Sequence, residues 1–202
     1  MFYEKGGSTL NIFGRWFRKK VSNTEKSYDQ DNYIYTSNSQ LTPDEAQAYW
    51  EKVARKLIVG AINSVDHTAE RIFILVSFDD KMPSIDIFFQ MNGQIRMWND
   101  LDNAMHKRVI SNSLVTQAPN VVKQVNCVYN NAGLTRLAYA QVQYEFESKT
   151  WYLHDVTQNS IESQLDKEPA FLKWFDDVSK CVEGLPLDSK HKITWGPFKP
   201  EF

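Results

Sequence analysis

Ile72-Phe73-Ile74-Leu75-Val76-Ser77-Phe78, then Ser84-Ile85-Asp86-Ile87-Phe88-Phe89-Gln90-Met91, then Asn92-Gly93, then Gln94-Ile95-Arg96-Met97-Trp98: three β-rich runs follow one another at turn distance. β-Branched and aromatic residues dominate each run, and Asn92-Gly93 supplies the two positive-φ residues of a tight type I′ hairpin. A two-residue loop pairs Met91 with Gln94 and Phe89 with Arg96. Ile85, Ile87, Phe89, Met91 and Trp98 then share one face, while Phe88, Ile95 and Met97 share the other. Both faces are partly apolar. Helices are therefore expected on one side of this sheet, and a second cover, or a partner, on the other.

Upstream, Thr42-Pro43-Asp44-Glu45 opens a helix: Thr42 suits the N-cap, Pro43 the first helical position, and Glu45 completes a capping box. Ala46, Tyr49, Trp50, Val53, Leu57 and Ala61 follow at helical spacing, and the helix is expected to end near Asn63. Glu70 to Phe78 is almost continuously apolar, as in a strand covered on both faces. Downstream, Asn99-Asp100-Leu101-Asp102-Asn103 resembles the start of a calcium loop but lacks its glycine and terminal Glu; it reads as a polar turn capping a short helix. Residues 104–118 are poorly patterned. From Pro119 a helix turns Val121, Val122, Val125, Val128 and Tyr129 inward and closes at Gly133. Arg136 to Phe146 alternates, with Leu137, Tyr139, Gln141, Gln143 and Glu145 on a face expected to be mostly solvated. Trp151 to Val156 pairs back, and a last helix from about Pro169 carries Phe171, Trp174, Phe175, Val178 and Val182 on one stripe.

The sequence thus predicts an α+β domain over residues 42–184, with an antiparallel sheet of about five strands and three flanking helices. Residues 1–41 form a basic, aromatic N-terminal arm with a polar linker, and residues 185–202 an extended C-terminal arm. The chain of 202 residues has a formal net charge of −2, unevenly spread. Lys5, Arg15, Arg18, Lys19, Lys20 and Lys26 oppose only Glu4 and Glu25 in the first 26 residues, leaving an acidic body. Residues 10–20 allow two readings: a segment lying on anionic lipid with Trp16 and Phe17 at headgroup level, or an arm docked on the body. No apolar run approaches a membrane span and no signal-peptide pattern occurs, so the cytoplasm is the expected location. Cys127 and Cys181, on different helices and without a CxxC spacing, read as two small core or surface residues in a reducing compartment, and the sequence leaves a disulfide between them open.

No cofactor, metal or nucleic acid is expected. His67, His106, His154 and His191 lack the spacing of a zinc helix. His154 and Asp155, adjacent on a strand, face opposite ways. No glycine-rich phosphate loop, nucleophile elbow or kinase signature occurs, so an enzyme is not expected. A small enzyme with an unrecognised site, and a membrane-peripheral adaptor, are the alternatives.

The order helix, three strands with a hairpin, helix, two strands, helix over residues 43–182 resembles that of the YezG-like immunity proteins of bacterial toxin systems. An opening helix with a tryptophan-bearing segment and the Phe88-Phe89 strand before a polar turn share that texture. The arm, the tail and the near-neutral composition depart from it. The resemblance implies a cytosolic protein that binds and neutralises a cognate toxin domain. Such an inhibitor needs a rigid platform of acidic and aromatic side chains, because opposite charge speeds encounter and buried aromatics hold the complex. The candidate partner-binding residues are Asp79, Asp80, Asp100, Asp102, Glu145 and Glu147, with Trp98 as the aromatic.

Overall fold

A computed structural model describes residues 15–20, 41–161 and 170–185. The polar linker, the C-terminal arm and His191 lie outside these residues.

Helix α1 (Pro43–Ser64) begins as its sequence dictates: Thr42 Oγ1 accepts from the Glu45 amide at 3.3 Å, and Glu45 Oε2 accepts from the Thr42 amide at 2.9 Å. Two amides with no intrahelical partner are thereby satisfied. Ala46, Trp50, Ala54, Leu57, Ile58 and Ala61 form its buried stripe. The chain leaves the helix through Asp66 and His67, both at positive φ, and enters β2 (Arg71–Ser77). β3 (Ser84–Met91) and β4 (Gln94–Met97) follow in the expected hairpin, with Met91 opposite Gln94 and Phe89 opposite Arg96. Asn92 and Gly93 both adopt the left-handed conformation that the turn requires.

The poorly patterned stretch contains helix α2 (Ala104–Ser113), capped by Asn103, whose Oδ1 accepts from the Met105 amide at 2.8 Å. Helix α3 (Ala118–Asn131) stops at Gly133, which sits at φ +67°. β5 (Leu137–Glu145) and β6 (Thr150–Thr157) pair back, a single turn α4 (Gln158–Ile161) follows, and α5 (Ala170–Glu183) is the last helix. The body contributes the five expected antiparallel strands and the three expected helices, α1, α3 and α5. A strand the sequence did not announce joins them: β1 (Arg15–Lys20) pairs antiparallel with β6. The sheet order is β1-β6-β5-β2-β3-β4.

Helices pack on both faces. On one, α1 and α3 cover Ile72, Ile74, Val76, Ile85, Ile87, Phe89, Val142 and Leu153. On the other, Trp174, Val178 and Val182 of α5 pack on Phe73, Leu75 and Phe88. The Trp174 ring meets the Phe73 and Phe88 rings edge-on, with centroids 5.6 and 5.2 Å apart.

Two expectations for β5 fail. Tyr139, Gln141, Gln143 and Glu145 are buried rather than solvated. Two of them are matched across the sheet: Gln141 Oε1 lies 3.3 Å from His154 Nδ1, and Glu145 forms an ion pair with Arg71. Strict alternation also breaks. Leu137 stands opposite Thr157 and Tyr139 opposite Val156, so Ala138 is an extra residue. The bulge reverses the facing of everything before it. Leu137 consequently packs in the core under α1 and α3, and Tyr139 in the core under α5.

Candidate functional site

The bulge lies beside an open cleft of about 630 Å³ where β2 ends, β3 begins and α5 starts. Its floor is apolar, from Leu75, Ala138 and Phe171; its wall is polar, from Asp79, Asp80, Lys81 and Asp86. Ser77, Ser84 and Tyr139 add hydroxyls.

The turn that carries Asp79 and Asp80 is held at its root by Phe78. That ring is fully buried against Trp50, with centroids 5.3 Å apart, and the Phe78 amide donates to the Ala138 carbonyl at 2.9 Å. Within the turn, Asp79 Oδ1 accepts from the Lys81 amide at 2.8 Å. Asp80 is held more firmly. Its Oδ1 accepts from Asn126 Nδ2 of α3 at 2.9 Å, and its Oδ2 from Arg136 Nη1 at 2.7 Å. Asn126 is itself buried, and Arg136 Nε also donates to Asn130 Oδ1 at 2.9 Å. Asp80 therefore ties the turn to α3 and to the entry of β5, and most of its acceptor capacity is used. Asp86, half-buried on β3, accepts from Ser84 Oγ at 2.8 Å.

Tyr139 is 9% exposed, and its hydroxyl has no hydrogen bond among the described residues. Burial raises its pKa above the ordinary tyrosine value, so the hydroxyl is neutral at physiological pH.

The residues singled out in the sequence do not form one surface. Asp79 and Asp80 line the cleft. Glu147 is exposed in the β5–β6 turn, at the opposite end of the sheet. Asp100 and Asp102 flank the outer edge beyond β4, where Asp102 Oδ2 accepts from Arg96 Nη1 at 2.6 Å. Trp98 is half-buried against the core under α1, close to them in the chain but not in the cleft. Glu145 is a correction: it is 3% exposed and paired with Arg71, so it is a core residue and offers no surface to a partner. Desolvation lowers the Arg71 pKa to about 10, a shift that Glu145 partly opposes.

Asp86, Ser84 and Tyr139 went unnoticed in the sequence. Asp86 interrupts an apolar run and could have been noticed, whereas Tyr139 sits on a face that alternation assigned to solvent. Of the histidines, His154 is buried against Gln141 and Asp155 turns to the other face, where Trp50 Nε1 donates to it at 2.7 Å. His106 Nε2 lies 3.1 Å from Asp66 Oδ2, at the end of β2 away from the cleft. Among the described residues no three His, Cys, Asp or Glu side chains converge as a metal ion requires. Cys127 and Cys181 are free and exposed, and no described helix is long and apolar enough to cross a membrane.

Comparison with protein-family models and with curated proteins finds no match to this chain.

Proposed function

We propose that the chain is an immunity protein. It binds a cognate bacterial toxin domain in the cytoplasm, a nuclease or another effector acting there, and neutralises it by occupying its surface. The observation that carries this reading is the acidic cleft. Asp79 and Asp80, on a turn hydrogen-bonded to α3 and anchored by a buried aromatic, line it together with Asp86 of β3. A carboxylate wall on a fixed support suits recognition of a cationic macromolecule, because little side-chain freedom is left to lose on binding. The similarity in element order to the YezG-like immunity proteins supports the same reading.

The test is co-expression with the variable C-terminal domain of a large secreted protein, should the neighbouring reading frame encode one, followed by co-purification and titration calorimetry. A stoichiometric complex with loss of toxicity is expected, and its association rate should fall as salt is raised. The double variant Asp79→Lys, Asp86→Lys should slow association about tenfold or more at low ionic strength. No complex at micromolar concentration rules the proposal out.

A further inference from the structure

We infer that the cleft is a socket for one arginine side chain of the partner: the guanidinium lies between Asp79, Asp86 and the Tyr139 hydroxyl, and the aliphatic stem lies on Leu75 and Phe171. This deepens the proposed function and rests on it, since the toxin domain would supply the arginine.

The remaining acceptor capacity sets the chemistry. Asp80 is committed to Asn126 and to the cation of Arg136, so it contributes little bonding and little net charge. Asp79 uses Oδ1 on the Lys81 amide, and Asp86 uses Oδ2 on Ser84. Asp79 Oδ2 and Asp86 Oδ1 have no hydrogen bond among the described residues, and both residues line the cleft. The Tyr139 hydroxyl is an independent sign. More than nine-tenths of the residue is buried, it lines the same cleft, and no described group bonds it. The hydroxyl oxygen can accept from a donor placed in the cleft.

The acceptors thus lie above an apolar floor. A ligand that matches both needs a long apolar stem and a head with several donors. Arginine has five N–H donors in a planar fork and is weakly hydrated, so it leaves water readily. Lysine offers a compact, strongly hydrated charge that cannot reach several acceptors as flatly. The Phe171 ring adds an aromatic surface, on which a guanidinium stacks better than an ammonium. A volume of about 630 Å³ lies within the usual range of side-chain and small-ligand sites.

The direct experiment is a ¹⁵N-resolved NMR titration of the full chain with N-acetyl-arginine methylamide. The lysine and citrulline analogues run in parallel, since citrulline keeps the shape and loses the charge. Saturable shifts are expected at residues 79–86 and 138–139. Arginine should bind about tenfold more tightly than citrulline, the ratio expected for loss of charge-assisted hydrogen bonds. Asp86→Asn and Tyr139→Phe are near-isosteric and should each weaken arginine binding several-fold while leaving the spectrum folded. Equal binding of citrulline, shifts lying elsewhere, or unaltered binding by both variants would overturn the inference. The two proposals fail separately. A toxin complex indifferent to both variants removes the socket and keeps the function; arginine binding without any toxin complex does the reverse.

Discussion

Replacing Glu145 by Leu removes one half of the ion pair that joins β2 to β5. Arg71 is 1% exposed, and its Nε donates to Glu145 Oε1 at 3.1 Å. With a pKa of about 10 the guanidinium stays protonated at pH 7, so the substitution leaves a buried charge with its carboxylate gone. Removal of one partner of such a pair costs about 3–5 kcal/mol. The lost bond from Ser148 Oγ to Glu145 Oε2, 2.6 Å long, falls within that figure, because a single hydrogen bond contributes only about 1 kcal/mol net. A domain of this kind is stable by about 5–15 kcal/mol, so the variant stays folded in water but sits near its limit. With a urea slope of about 2 kcal/mol per molar, the midpoint should fall by roughly 1.5–2.5 M. The companion double variant, Arg71→Met with Glu145→Leu, removes both charges and fills the space with apolar atoms. It should return to within about 1 kcal/mol of the parent, or exceed it. Urea melts of the parent, both single variants and the double variant close a cycle. The reasoning fails if Glu145→Leu costs under about 1 kcal/mol, or if the double variant loses the sum of the two single losses.

Trp50→Phe keeps an aromatic ring and removes the indole donor at 2.7 Å from Asp155, which is 7% exposed and also accepts from Gln47 Nε2 at 3.2 Å. A loss of about 1–3 kcal/mol is expected in chemical denaturation, and a neutral result would show that Asp155 does not depend on the indole. Hydrogen bonds from Thr42 hold the Glu45 pKa below its ordinary 4.5. Its contribution to stability is therefore present above the unfolded value and is lost as pH falls through the lower folded one. Thr42→Ala should make the thermal midpoint less sensitive to pH below about 4.5, and parallel curves for the two proteins would argue against this. Proline at both Phe17 and Lys19 should detach β1, since proline removes a ladder donor. β6 is buried on both faces along nearly its whole length, so its bared edge should pair with that of a second copy. Sedimentation should then show concentration-dependent dimers, and a strictly monomeric variant would remove the idea.

Local signals were strong where a residue type has one physical use. Thr42-Pro43 and Glu45 marked the start of α1, Asn92-Gly93 placed the hairpin and its register, and Gly133 marked the end of α3. Apolar stripes located the cores under α1, α3 and α5. The errors share one cause. Gln141, Gln143 and Glu145 are polar, and a pattern argument sends polar residues to water. Whether they are buried depends on whether partners such as His154 and Arg71 lie within hydrogen-bonding reach, and those partners are distant in the chain. The extra residue at Ala138 is similarly silent, although it decides that Leu137 packs in the core under α1 and α3. Asp79 and Asp80 stood out only as two of six acids at turns and strand ends, and the fold separates them from the other four. Their division into one residue tied to α3 and one with spare capacity is set by Asn126 and Arg136, which only the folded chain brings near.

The pairing of β1 with β6 has a consequence for synthesis. Lys20 stands opposite Thr150 and Arg15 opposite Asp155, so each strand of this pair waits for a partner made well over a hundred residues away in the chain. At about 5–20 residues per second, several seconds to half a minute separate the two. In that interval the nascent body must remain soluble with its sheet unfinished. β1 then becomes the outermost strand and covers the edge that β6 would otherwise present.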